Sequence, residues 1–157
     1  MKNNKWYVIS TFVLGCIVIN FAGRILSDRL QLPLWLDSFG TVTAAYVLGP
    51  FCAAMVGMTV NLTYGILYSW TNMFYAVVSA MVGITTGICV KKGFLKNLYG
   101  VLSTSFLIAV LSVTLSVPLN YLYCDGSTQN IWGDGVIESM ESWIQQLFQS
   151  LYGTVLS

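Results

Sequence analysis

The sequence predicts an all-α membrane protein: a bundle of five transmembrane helices with an external amphipathic helix. Three observations carry that prediction: a composition starved of charge, apolar runs of membrane-spanning length, and lysines kept apart from the acids. Charged residues make up 8% of the 157 and hydrophobic ones 56%, with a mean hydropathy of +0.73, against roughly 25% charged in a soluble domain. The chain has length for one domain, 1–157, with about five or six spans. A large soluble catalytic domain does not fit.

The first apolar run, Trp6 to Ile25, has 20 residues, enough to cross ~30 Å of hydrocarbon at about 1.5 Å per residue. Arg24, Asp28 and Arg29 end it, giving a span of about 6–26. It exceeds a signal-peptide core and lacks a small-x-small cleavage site followed by a soluble domain, so it reads as a retained helix. The next run, Leu34 to Leu67, has 34 residues. As one helix it would be about 51 Å long, too long for one crossing and somewhat short for two. Gly49-Pro50 near its middle favours a hairpin, because proline removes a helical hydrogen bond and restricts the residue before it. The predicted spans are therefore 35–48 and 50–68, followed by 72–90 and 98–122.

Charge parity supports the same count. Lys2 and Lys5 place the N-terminus in the cytoplasm by the positive-inside rule, and Lys91, Lys92 and Lys96 belong on that side too. One outward crossing then demands an odd number between residues 30 and 91, which Met73 to Val90 and a two-helix hairpin supply. Five basic and no acidic residues fall inside, two basic and six acidic ones outside.

Small residues recur every fourth position at Ala53 and Gly57, then at Ser79, Gly83 and Gly87. Such stripes let membrane helices approach closely, within the bundle or against a partner. Asn130 to Asp134 reads as a polar turn. After it, Val136, Ile137, Met140, Trp143, Ile144, Leu147 and Leu151 form an apolar stripe opposed by Glu138, Glu141, Ser142, Gln145, Gln146 and Gln149. This segment, 132–152, is too polar to span and is expected to lie over the outer mouth or in the interface.

No nucleophile elbow, zinc-protease helix or phosphate loop is present, and histidine is absent, so no enzymatic activity, metal or cofactor is expected. Cys16, Cys52, Cys89 and Cys124 are widely spaced and read as small core residues rather than a disulfide or metal framework. A net charge of +1 with three clustered lysines gives no nucleic-acid surface; those lysines suit anionic lipid.

Polar groups at membrane depth are costly unless paired or functional. Asn20 and Arg24 share one face of the first helix near its outer end, and Asn61, Tyr64 and Tyr68 share a face of the third. Asp37 starts the second helix, Trp70 and Asn72 occupy the outer turn before the fourth, and Asn120 closes the fifth. Trp132 lies in the outer tail. All are expected on one side, where aromatics, amides and a charge or two suit a small-molecule pocket. Bland roles compete: an interfacial belt for Trp70, Tyr68, Tyr121 and Tyr123, an N-cap for Asp37, snorkelling or an Asp28 pair for Arg24. The glycosylation acceptor pattern at Asn61 lies in an apolar helix and reads as accidental.

At Asn20-Phe-Ala-Gly-Arg24, Leu32-Pro-Leu-Trp-Leu-Asp-Ser-Phe-Gly-Thr41, Leu48-Gly-Pro50, Asn61-Leu-Thr-Tyr-Gly65 and Asn130-Ile-Trp-Gly-Asp134, the chain resembles the substrate-binding S components of energy-coupling factor transporters. The similarity is greatest to the subgroup that also occurs as input modules of sensor proteins. The resemblance implies a six-helix bundle that captures a vitamin-like or nucleoside-like solute from outside. It further implies docking on a transmembrane coupling protein with two cytoplasmic ATPases, and toppling to release the solute inwards. Two features depart from the family pattern. The first helix carries Ser10, Gly15, Ala22 and Gly23 instead of an Ala-xxx-Ala docking motif, and no segment after Leu151 is long enough to span, so a sixth helix is expected to be missing.

The expected function is thus solute capture for an importer, with Asn20, Arg24, Asp37, Asn61, Tyr64, Trp70, Asn72, Asn120 and Trp132 lining or gating the pocket. The alternative is a membrane-embedded ligand-sensing input module of a signalling protein.

Overall fold

The computed structural model describes residues 3–32, 36–124 and 131–155. Among them every regular element is helical. Helix α1 is Asn3–Leu30, a 3-10 turn covers Leu36–Ser38, and α2 is Phe39–Val47; α3 (Pro50–Leu67) follows at once. A second 3-10 turn, Trp70–Met73, leads to α4 (Tyr75–Lys91), and a third, Phe94–Lys96, to α5 (Leu98–Tyr123). Helix α6 is Ile131–Val155.

Among the described residues four stretches are long and apolar enough to cross a membrane: Lys5–Leu30, Pro50–Leu67, Trp70–Lys91 and Leu98–Tyr123. The second of the five expected spans differs. Its helix, α2, has nine residues, about 14 Å of rise, which is half of a hydrocarbon core. The sequence signal there was length and hydropathy, both of which a short helix flanked by a 3-10 turn and a proline corner satisfies. The corner itself forms as its residues demand. Gly49 holds φ 92° and ψ −178°, a backbone state that favours glycine, and Pro50 starts α3 at a position whose N–H no helix needs.

Among the described elements α3 and α4 make the most extensive contact, and the small-residue stripes build it. A methyl placed on Gly83 would lie 2.7 Å from the Ala53 carbonyl carbon, one on Gly87 2.4 Å from Pro50 Cα, and one on Gly57 2.9 Å from the Ser79 carbonyl oxygen. The stripes on the two antiparallel helices therefore meet each other within the bundle. Helices α1, α2 and α3 enclose the buried cluster Cys16, Ala44, Ala45, Ala53 and Val56, with Phe12, Val13 and Ile17 against it. Helix α5 packs on α4 and the third 3-10 turn, and of its residues only Thr104 is buried.

These contacts define two ends. At one, here the lysine end, the Gly49 corner lies beside the Lys91 side chain. At the other, the rim, the end of α1 meets the first and second 3-10 turns. The tail differs from the expected turn at 130–134: α6 is already helical from Ile131, and Asn130 lies outside the described residues.

Candidate functional site

Arg24 is the centre of the rim. Its Nη1 donates to Asp37 Oδ2 at 3.3 Å, its Nη2 donates to Asn72 Oδ1 at 3.0 Å, and its Nε stands 3.5 Å from Asp28 Oδ2. The guanidinium carbon lies 4.9 Å from the centroid of the Tyr64 ring, a cation–π placement. Groups from α1, the first 3-10 turn, α3 and the second 3-10 turn thus gather on one cation. Only the guanidinium, with five fixed donors, could serve so many directions at once.

Burial sharpens the arrangement. The Arg24 and Asp37 side chains retain 11% and 9% of their exposure, whereas Asp28 retains 46%. A charge at this depth is tolerated because it is paired and hydrogen-bonded. The Tyr64 hydroxyl donates to Asp28, and the Tyr64 ring stacks on Tyr68 at 4.5 Å and meets Phe21 edge-on at 5.9 Å. Asn72 is held in turn, its Nδ2 donating to the Ser69 carbonyl at 3.3 Å. The cluster holds two carboxylates for one guanidinium, the more exposed of them on the open side.

Of the nine residues singled out in the sequence, four converge here: Arg24, Asp37, Tyr64 and Asn72. Two others are committed to packing. Asn20 is fully buried; its Nδ2 donates to Thr41 Oγ1 at 2.8 Å and its Oδ1 accepts the Gly40 N–H at 2.5 Å, pinning α2 to α1. Asn61 is buried and donates to Ser79 Oγ at 2.6 Å and the Gly57 carbonyl at 3.2 Å, tying α3 to α4. The amide is thereby withdrawn from the glycosylation pattern it belongs to. Asn120 accepts from the Tyr75 hydroxyl and so fixes the end of α5 to the start of α4.

Trp70 and Trp132 are largely exposed. Trp70 packs edge-on against Phe74 at 5.6 Å, and Phe74 stacks on Tyr123 at 3.9 Å. Trp132 Nε1 donates to the Gln31 carbonyl at 2.9 Å, which brings the start of α6 to the rim. Exposed Tyr68, Trp70, Tyr121 and Trp132 accompany the buried polar centre. Asp37 does not cap α2: its place before Ser38 puts its carboxylate on Arg24 instead.

The Arg24–Asp28 pair, which the sequence offered only as a competing role for Arg24, forms within the cluster; Tyr75 as a tie was missed. Asp28 had a signal, its i+4 spacing from Arg24; the Tyr75–Asn120 bond joins residues 45 positions apart and had none. Two open clefts lie away from the rim, one between α4 and α5 at the lysine end and one along α1 beside Thr43. Among the described residues no cluster of histidine, cysteine or acidic side chains could hold a metal ion. No family model, curated protein or solved structure matches this chain.

Proposed function

We propose that this chain is the solute-capturing subunit of an energy-coupled importer of the energy-coupling factor type. In this reading the lysine end faces the cytoplasm, residues 36–49 complete a fifth crossing in shortened form, and the rim faces outward. The observation that carries it is the Arg24 cluster, a buried cation held by Asp37 and Asn72 beneath exposed aromatic rings. A guanidinium fixed on two sides is preorganised, so a solute need not supply the ordering of a long side chain. Asp28, the half-exposed partner, is the group a solute carboxylate or carbonyl displaces most readily. The exposed Tyr68 and Trp70 rings offer stacking to a planar vitamin-like or nucleoside-like ring. No covalent chemistry is involved. Energy for uphill release would come from a transmembrane coupling protein and two cytoplasmic ATPases.

The test is native mass spectrometry of the detergent-purified chain, searching for a co-purified metabolite. The expected result is a single small-molecule adduct, lost in Arg24→Ala, reduced in Trp70→Ala and retained in Lys5→Gln. No adduct on the wild-type protein, or equal retention in Arg24→Ala, overturns the reading.

A further inference from the structure

We propose that the cleft between α4 and α5 at the lysine end binds one anionic phospholipid, with the phosphate on Lys92 and an acyl chain along Leu107 and Leu111. The cleft has a volume of about 330 Å3, and its wall is mainly apolar, with Ile88, Phe94, Leu107 and Leu111, while Lys92 is its charged residue. That combination of one cation and a greasy wall matches a phosphate joined to a hydrocarbon chain. A free phosphate would use the lysine and leave the wall bare.

Charge around the cleft points the same way. No acidic residue occurs between Asp37 and Asp125, whereas Lys91, Lys92 and Lys96 surround this end. Lys91 leans toward the Gly49 corner and Lys96 toward Gly93, leaving Lys92 to the cleft. Lysines near an anionic leaflet attract its headgroups, with the effect fading within a Debye length.

The second, independent observation is Thr104. It lines the cleft, is 5% exposed, and its hydroxyl has no hydrogen-bond partner among the described residues. Other helical hydroxyls here are satisfied by the carbonyl four residues back: Ser103 by Tyr99, Thr114 by Val110, and Thr86 by Val82, each at 2.7–2.8 Å. A buried hydroxyl left unpaired in an apolar wall is costly. The ester carbonyl of a glycerolipid is an acceptor that arrives with the acyl chain, and a turn about χ1 presents Oγ1 to it.

The test uses the detergent-purified chain with dioleoyl phosphatidylglycerol, dioleoyl phosphatidylcholine and inorganic phosphate as separate probes in native mass spectrometry. One phosphatidylglycerol per chain is expected to survive activation that strips phosphatidylcholine. Lys92→Gln, an exposed position, lowers its retention about five-fold, and Lys5→Gln leaves it unchanged. A phosphatidylglycerol with a photoreactive acyl chain is expected to label the α5 peptide carrying Leu107 and Leu111. Equal retention of the two lipids, equal loss in both lysine variants, labelling away from that peptide, or displacement of the lipid by inorganic phosphate would each overturn the proposal. The solute reading of the rim is unaffected by any of these outcomes.

Discussion

Arg24 and Asn20 lie one helical turn apart on α1, yet their chemistry differs. Asn20 has its amide hydrogen-bonded to Thr41 and its carbonyl to the Gly40 N–H inside a helix interface; truncation leaves a backbone donor and a hydroxyl stranded, at about 1–3 kcal/mol each. Asn20→Ala is therefore expected to lower the melting midpoint in detergent, with any bound solute retained per folded molecule. Arg24 instead balances Asp37: removing the arginine strands a buried carboxylate, at about 3–5 kcal/mol, whereas removing Asp37 costs less because the guanidinium keeps Asp28 and Asn72. Arg24→Ala and Asp37→Ala are each expected to destabilise the fold. The double variant should lose clearly less than the sum, a coupling of at least about 1 kcal/mol in a double-mutant cycle. Strict additivity would show that the pair contributes nothing in the membrane.

Between elements, stability rests on close backbone approach rather than on large side chains. The buried apolar core is alanine, valine and cysteine, with buried glycines at the helix contacts, as expected where lipid tails are as apolar as leucine and helices associate by packing and interhelical hydrogen bonds. Gly83→Leu is expected to force α3 and α4 apart and cost about 1–3 kcal/mol. Gly15→Ala is the control, since a Cβ there meets nothing within 4 Å. Comparable loss of thermal stability in both would show that the α3–α4 contact is not what holds the hairpin. Helix α5 contrasts with this pair: it is long and apolar but lightly packed on α4, which opens the lysine-end cleft.

For the whole molecule the polarity of the bundle decides everything functional. The second 3-10 turn and the third one stand at opposite ends of α4, so Trp70→Cys and Phe94→Cys are expected to be labelled from opposite sides of a sealed vesicle. Cys52 and Cys124, the partly exposed native thiols, are replaced by serine in that experiment. Labelling of both positions from one side would remove the transmembrane arrangement on which the importer reading depends. In right-side-out vesicles, whose lumen is the cytoplasmic side, Phe94→Cys is expected to face the lumen; its labelling from outside would place the lysines outside and the rim inside, reversing the expected orientation.

Much of this protein was legible without coordinates, for reasons that are local. Charge depletion and run length identify the long helices because the cost of placing polar groups in hydrocarbon acts on each segment separately. The proline corner and the period of the α6 stripe are equally local, and both appear where the residues put them. What local signals could not supply was the division of labour among polar side chains. Nine looked alike as candidates, and only the tertiary contacts separate Arg24, Asp37, Tyr64 and Asn72, drawn from four segments around one charge, from Asn20 and Asn61, whose amides hold helices together. The length of α2 escaped for the same reason: hydropathy reports burial from water, whereas where a short helix stops is settled by what it packs against.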